Sequence, residues 1–355
     1  MDGLIVNALS STNEVPDAAA VRVNGLLSPI TFDHDHSRPD AHTAARLCEE
    51  YNYSGLWATE QRYDPTIALA SATGHPSLHL GTAVTVALAR NPMTLAHAAF
   101  DLHAYNGGNT TVGIGPQLPV NLKYRFSMPA DSRLARMREF VAAVREIWSS
   151  WQEERPYHFD GRFYKHTVSN AFFTPPPNPY GLPRIMMAAH GPKMAQLAAE
   201  VSDGLVIPPY ATDDHIRSVL LPAVYRGLQI SGRRRSEFLT VCSPLVATGR
   251  TPDELHASLA QNEKLVNLWL GTKRYAEHVQ VGGAKRTASS GTTTMLDRDD
   301  LHRFVTISSD PGDIGMLLQQ RYYGLVDTLL LPVGGDDTVW QPRTLGLDAL
   351  DPALA

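Results

Sequence analysis

Residues 78–117 read LHLGTAVTVALARNPMTLAHAAFDLHAYNGGNTTVGIGPQ. This stretch predicts a strand at 78–88, a helix at 93–105 and a second strand at 110–114. A run rich in Leu, Val and Thr is followed by an Ala-rich segment with helical spacing, and then by β-branched residues. Two strands joined by a helix through short turns run parallel in a right-handed crossover. Repeated units of this kind build an α/β sheet or an α/β barrel, and active sites lie at the carboxyl ends of their strands.

The same alternation continues along the chain and gives eight strand candidates. They are residues 21–27, 53–59, 78–88, 110–114, 184–189, 204–207, 238–247 and 326–332, with 4–9 as an alternative first strand. The fold class is therefore predicted to be α/β, a (β/α)8 barrel. We expect residues 1–355 to form a single barrel domain with a core at about 20–335. Because about 80 residues separate the seventh and eighth strands, an insertion is predicted there, at about 250–300.

Composition is that of a soluble globular enzyme. The chain has 355 residues, of which 43% are apolar and 19% charged, and its net charge is −5. No Lys/Arg cluster is long enough to predict a nucleic-acid surface, no apolar run approaches the roughly 20 residues of a membrane span, and no signal-peptide pattern opens the chain. Cys48 and Cys242 have no C-x-x-C partner. We therefore expect a cytoplasmic protein with reduced thiols and without nucleic-acid or membrane partners.

Several motifs, in a fixed order, resemble one enzyme superfamily. They are GTAVTVALARNP at 81–92, GGNTTVGIG at 107–115, a long helix through 138–148, HFDGRFY at 158–164, AAHGPKM at 188–194 and VSDG at 201–204. Together they resemble the bacterial luciferase-like superfamily of flavin- and deazaflavin-dependent oxidoreductases, the luciferase-like monooxygenases. The subgroup that the chain resembles most is described as dependent on coenzyme F-420, a deazaflavin. The resemblance implies a barrel that binds F-420 or FMN at the carboxyl ends of its strands.

A phosphate site for this cofactor is predicted where the fifth strand passes into a helix. The turn contains His190, Gly191, Pro192, Lys193 and Met194. Free backbone N–H groups and the helix dipole at such a turn favour an anion, and the alternative is an ordinary strand-to-helix turn.

Other cofactor contacts are predicted along the second, third and fourth strands. The resemblance places a bulge with a non-prolyl cis peptide at Ala83-Val84, behind the cofactor ring, and a regular buried strand is the alternative. Gly113 and Gly115 lack side chains, which would let the ring approach, unless they form a simple turn. Thr59, at the end of the second strand, completes this set.

Acid–base residues are predicted on the loops that follow the strands. Glu60 is expected either to orient the substrate or to form a structural ion pair with Arg62 or Arg90. Many flavin-dependent members of the resembled superfamily carry His directly after this acid, where this chain has Gln61, and Gln does not transfer protons at neutral pH. Candidate replacements are His34, His36, Tyr63 and His190. No metal site is predicted at 34–36, because no third ligand is identifiable.

Three functions are compatible with these residues. In the first, F-420 transfers hydride to or from a small organic substrate; in the second, reduced FMN from a partner flavin reductase activates oxygen in a monooxygenase. The third is a catalytically degenerate barrel that binds a cofactor without turnover. Trp269, Tyr275 and Met295 either line the substrate entrance or form the core of the insertion. The resemblance also implies a homodimer.

Overall fold

The computed structural model describes residues 21–27, 40–271, 286–288, 294–296, 298–333 and 341–349. Eight parallel strands form a closed barrel at its centre. They are Arg22–Leu27 (β1), Gly55–Ala58 (β2), His79–Thr82 (β3), Thr110–Gly115 (β4), Arg184–Ala188 (β5), Gly204–Ile207 (β6), Leu239–Cys242 (β7) and Thr328–Pro332 (β8). Each strand pairs with the next, and β8 pairs with β1 in a register that aligns Thr328 with Arg22. The predicted (β/α)8 barrel is therefore confirmed.

Helices surround this barrel. They are Ala41–Glu50 (α1), Pro65–Ala70 (α2), Pro92–Tyr105 (α3), Pro119–Tyr124 (α4), Arg133–Gln152 (α5), Pro192–Val201 (α6), Leu221–Ser231 (α7), Pro252–Leu270 (α8) and Ile314–Tyr322 (α9). Local sequence fixes several starts: Asp40, Asn91 and Thr251 each accept a hydrogen bond from a first-turn backbone N–H. Short helical segments, Asp213–His215 and the π-helical Ile216–Leu220, lead into α7.

The inside of the barrel is filled by one layer of apolar side chains. It consists of Leu26, Trp57, Met186, Val206, Val241 and Leu330. These residues point inward because side chains alternate between the two faces of a strand. The indole of Trp57 is the largest member and lies over Gly81, where a Cβ would overlap the ring. A second, larger core lies between the strands and the helices, and α5 contributes Trp148 and Trp151 to it.

The third strand differs from its predicted extent, 78–88. It consists of β3 and a second piece, Thr85–Val86, and is followed by a 3-10 turn at Ala87–Ala89. The peptide between Ala83 and Val84 is cis, as one of the two sequence alternatives predicted.

This interruption shifts the pairing with β4 by one residue. Gly81 aligns with Thr111 before the break, and Thr85 aligns with Ile114 after it. Four steps along the third strand thus correspond to three along the fourth, which is the geometry of a β-bulge. At the bulge, the Thr82 hydroxyl donates to the Gly113 carbonyl oxygen at 2.7 Å.

The predicted seventh strand, 238–247, is also wrong in extent. Only β7 belongs to the barrel, while Leu245–Ala247 pairs with Val305–Ile307 in a separate parallel pair. The chain leaves the barrel at Pro244, which has no N–H to donate to a ladder. Together with α8, this pair forms a small apolar cluster of its own. The cluster lies between β7 and β8, and only its members from α8 fall within the predicted insertion at about 250–300.

A carboxylate organises the loop that follows α5. Two-residue strands, Phe159–Asp160 and Lys165–His166, form a hairpin, and Glu139 of α5 accepts hydrogen bonds from the three backbone N–H groups of residues 162–164 at 3.1, 2.5 and 2.7 Å. A Cβ at Gly161 would overlap this carboxylate. The HFDGRFY motif therefore serves to dock a loop on α5.

We expect Gly113→Ala to lower the free energy of unfolding by about 1–3 kcal/mol or more, because overpacking a closed site forces backbone shifts. The added Cβ would overlap the carbonyl oxygen of Thr82, which belongs to rigid backbone. Gly74→Ala is the matched control, since a Cβ there meets nothing within 4 Å. Urea unfolding measures both, and the control should stay within about 0.5 kcal/mol of the parent protein. Equal losses in the two variants would contradict the close contact at the bulge.

Candidate cofactor and active site

A cavity of about 240 Å³ lies at the carboxyl ends of β4 and β5, where a (β/α)8 barrel carries its active site. Five of the predicted cofactor contacts line it: Val84, Gly115, His190, Gly191 and Met194. Ala188, at the end of β5, adds to a largely apolar lining. The bulge contributes directly, because Val84 follows the cis peptide and borders the cavity.

The other predicted cofactor contacts lie outside this lining, in the part of the chain that the structure describes. They are Thr59, Ala83, Gly113, Pro192 and Lys193. Ala83 packs on the apolar layer inside the barrel, and Lys193 is exposed. The space beside Gly113 is taken by the Thr82 carbonyl, so its missing side chain accommodates the bulge. The roles of these five residues in binding stay predictions.

The start of α6 offers backbone donors to the cavity. Gly191 is the N-cap residue, and within the described residues no side-chain cap hydrogen bond forms at this end of the helix. Gly191 and Met194 both line the cavity, so the first turn of α6 borders it. Because the first N–H groups of a helix have no partner within the helix, this end is suited to a phosphate or another anion.

Glu60 takes part in an ion-pair network. Its carboxylate accepts from the Val86 N–H at 2.8 Å and from Arg90 at 2.5 Å. Arg90 also donates to Asp64 at 2.6 Å and to the Val86 carbonyl at 3.1 Å. Burial alone would raise the pKa of Asp64, but hydrogen bonding and charge from Arg90 outweigh it and leave this pKa below its usual value. The network fixes the strand piece after the bulge, which is the structural alternative foreseen for Glu60 and Arg90.

An aromatic column extends from the cavity to the insertion. The ring of His190 stacks on His215 at 4.8 Å between centroids and contacts Tyr210 at 4.9 Å, and Tyr210 contacts Trp269 of α8 at 4.9 Å. The Nε2–H of His215 donates to the His190 carbonyl at 2.7 Å. Two roles were predicted for Trp269, at the substrate entrance or in the core of the insertion. Trp269 packs on the core of the insertion and also contacts a residue that lines the cavity, so its position is compatible with both.

Sequence reasoning missed Tyr210, His215, Gln117 and Arg133. Gln117 follows β4 with a left-handed φ of 61°, and its carbonyl accepts from Arg133 at 2.8 Å. This contact places a guanidinium beside the cavity. The sequence Gly-Pro-Gln after a strand predicts a turn at this point. It does not predict that Arg133, sixteen residues later, would bind to the turn.

Several of the remaining candidates fall outside the part of the chain that the structure describes. His34, His36 and Tyr275 lie outside the described residues, as does the side chain of Met295. Tyr63 is half-buried in the bend before α2 and is not part of the lining. Across the described segments, no group of three His, Cys, Asp or Glu side chains is arranged to hold a metal ion. No described helix is both long and apolar enough to cross a membrane.

Comparison with known proteins agrees with this geometry. Residues 25–328 match the family model of the luciferase-like monooxygenases. The chain belongs to the luciferase-like monooxygenase family. A Mycobacterium tuberculosis relative described as uncharacterized is 39% identical over 303 residues, covering 82% of this chain and 88% of that protein. The 5,10-methylenetetrahydromethanopterin reductase of Archaeoglobus fulgidus is 28% identical over 230 residues, covering 63% and 65%.

Solved structures of this luciferase-like fold carry both expected cofactor classes. An F-420-dependent secondary alcohol dehydrogenase, in complex with an F-420-acetone adduct, superposes with a TM-score of 0.73 at 15% identity, over 95% of this chain and 100% of that one. The oxygenating constituent of 3,6-diketocamphane monooxygenase from Pseudomonas putida, in complex with FMN, superposes with a TM-score of 0.69 at 14% identity, over 94% and 99%. At these identities the likeness concerns the fold. The cofactors named for the two neighbours are those expected from the sequence.

We expect Glu60→Gln to destabilise the protein by about 1–3 kcal/mol, because it removes a charge-assisted hydrogen bond from a largely buried network. The Glu60 side chain is 11% exposed and that of Arg90 is 21% exposed. Glu237→Gln is the matched control, since Glu237 likewise accepts from a backbone N–H and an arginine, but its side chain is 45% exposed. Urea unfolding of the control should show a loss below about 1 kcal/mol. A larger loss in the control would refute the role assigned to Glu60.

Proposed function

We propose that the chain is an F-420-dependent oxidoreductase that transfers hydride between the deazaflavin and a small organic substrate. The observation that carries this proposal is the cavity at the carboxyl ends of β4 and β5. It combines an apolar lining, the bulged strand at Val84 and the uncapped start of α6. A flavin-type cofactor needs both kinds of surface, because its ring is planar and largely apolar and its tail carries phosphate.

The residues of the cavity fit such a cofactor. The first turn of α6 and the guanidinium of Arg133 would hold the phosphate, and Val84 and Ala188 would contact the ring. Gly115 leaves room beside Val84, since a Cβ there would lie 2.9 Å from a Val84 methyl group. When bound, a deazaflavin supplies a carbon centre that accepts or donates hydride, while the protein orients the reactants and excludes water.

His190 is the residue that we assign to proton transfer. It lines the cavity, and an imidazole can exchange protons near neutral pH. The stack with His215 and the hydrogen bond from that residue to the His190 carbonyl fix the position of the loop. Glu60 acts as a positioning residue, because its carboxylate is occupied by Arg90 and the Val86 N–H.

Gln61 supports F-420 over FMN. It stands where many flavin-dependent superfamily members carry His, and a Gln side chain cannot replace that imidazole in acid–base chemistry. The second candidate is a monooxygenase that uses reduced FMN from a partner reductase. It is supported by the FMN-bound neighbour, which has the same fold.

We also infer that the barrel and the insertion act as a single domain, because Tyr210 at the mouth of the barrel packs on Trp269 of the insertion. Trp269 and Tyr210 would then border the path of the substrate. The homodimer and the cytoplasmic location stay predictions from the sequence.

The test is a pair of titrations that follow the tryptophan fluorescence of the purified protein, one with F-420 and one with FMN. We expect F-420 to bind tightly and FMN weakly. Ala188→Leu, which fills the cavity, should weaken F-420 binding about tenfold or more, equivalent to about 1.4 kcal/mol. Ala70→Leu, an equal change at an exposed position of α2, should leave the affinity unchanged.

Each other outcome points to a different function. Tight binding of FMN alone, with turnover of reduced FMN and oxygen, would replace the hydride-transfer proposal by the monooxygenase. Binding of neither cofactor would favour a degenerate barrel. Equal loss of binding in both leucine variants would show that the cofactor does not occupy this cavity.

A further inference from the structure

The barrel has a second, larger cavity at the opposite end from the cofactor site. It measures about 470 Å³ and lies at the amino ends of the strands. Its walls include the first inward-facing residues of several strands, among them Asn24, His79 and Thr328. The apolar layer that contains Trp57 and Met186 separates it from the cofactor cavity. A volume of this size is within the range of about 300–1,000 Å³ that small-molecule sites occupy.

Two arginines give this cavity a positive charge. Arg22 begins β1 and Arg184 begins β5, four strands away, so the two side chains reach the opening from opposite sides of the barrel. No Asp or Glu belongs to the described lining, and within the described ranges neither arginine forms an ion pair.

Other arginines at the same end of the barrel behave differently. Arg145 pairs with Asp203 at 2.8 Å, just before β6, and Arg235 pairs with Asp327 at 3.0 Å, just before β8. Carboxylates thus neutralise these two outer arginines at the amino end of the barrel. In the described part of the chain, the two arginines that border the cavity have no such carboxylate.

The inner walls also hold buried polar atoms that lack partners within the described structure. Neither ring nitrogen of His103, a residue that is 3% exposed, has a partner in good hydrogen-bond geometry among the described residues. Burial lowers the pKa of His103, and the nearby Tyr180 backbone opposes this shift only in part. The hydroxyl of Thr110 and the indole N–H of Trp57 are likewise buried and unpartnered. His103, Thr110 and Trp57 all belong to the cavity lining, which is therefore partly polar as well as positively charged.

His79, which also lines this cavity, differs from His103 because both of its ring nitrogens have hydrogen-bond partners. His79 lies 2.6 Å from the Asn109 side-chain oxygen through Nδ1 and 2.9 Å from the Thr111 hydroxyl through Nε2. Burial lowers the pKa of both His79 and His103. Each neutral ring then has one donor and one acceptor, and His79 uses both within the protein.

We propose that this cavity binds a small organic anion whose phosphate or carboxylate group is held between Arg22 and Arg184. The planar guanidinium groups suit either oxyanion, and the polar part of the lining, which includes Asn24, Ser54 and Asn109, suits a body that carries hydroxyl groups. The site is separate from the cofactor cavity and takes part in no step of the hydride transfer.

Isothermal titration calorimetry of the full-length protein tests this site. The probes are inorganic phosphate, glycerol 3-phosphate and malate, so the last two distinguish a phosphate head from a carboxylate head. We expect one of the organic anions to bind more tightly than inorganic phosphate. Arg184→Met and Arg22→Met should each weaken that binding about tenfold or more, because each removes charged hydrogen bonds. Both side chains are exposed, so the fold should tolerate these changes.

Two control variants locate the binding. Arg226→Met removes an exposed arginine from α7, and Arg133→Met removes the guanidinium beside the cofactor cavity. Both should bind the organic anion as the parent protein does. Loss of binding in Arg133→Met with retention in Arg184→Met would place the anion at the cofactor site and overturn the proposal. Failure of all three probes at millimolar concentration would also overturn it and leave a water-filled cavity.

Discussion

One extra residue in the third strand organises the functional end of this barrel. Hydrogen bonding to the fourth strand resumes after the cis peptide with a shift of one residue, and it can resume there because Gly113 lets the Thr82 carbonyl come close. A regular strand would carry its side chains past the mouth of the barrel in strict alternation. The bulge instead brings Val84 to the cavity, beside Gly115, where Ala188 also belongs to the lining. The position of the cavity that we propose for the cofactor therefore depends on this local change of register.

Electrostatic interactions support this arrangement. Arg90 connects the loops after the second and third strands through Glu60, Asp64 and the Val86 carbonyl, so the displaced strand piece is held in place. Burial of such a network is costly unless every charge is paired. Here each carboxylate has the guanidinium and at least one backbone N–H. The resulting rigidity suits a site whose task is to orient a cofactor.

Local patterns in the sequence were sufficient for the fold and for part of the site. The strand–helix–strand pattern at 78–117 predicted the crossover unit. Gly191-Pro192 predicted the start of α6, because turn and cap residues determine the structure of only the few positions around them. The seventh strand was predicted to be too long because FLTVCSPLVA is mostly apolar on both sides of Pro244, so hydrophobicity alone does not mark the point where the chain leaves the barrel. Tyr210, His215 and Arg133 were missed because their positions depend on contacts between distant segments. The role of Gly113 could not be predicted from the sequence either. A glycine allows a cofactor ring or another backbone segment to approach closely, and only the packing shows that here it is the Thr82 carbonyl.

The contact between Trp57 and Gly81 also limits how this sequence can diverge. The indole occupies the volume in which a side chain at position 81 would lie, so the two positions share one fixed space inside a closed barrel. A larger residue at 81 requires a smaller one at 57, and a smaller residue at 57 alone leaves a void. Substitutions at these positions are therefore expected to be accepted as pairs during evolution, with a non-additive effect on fitness when they occur singly. Such a pair of positions would record the ancestry of related chains more faithfully than the exposed positions around the barrel, which can change one at a time.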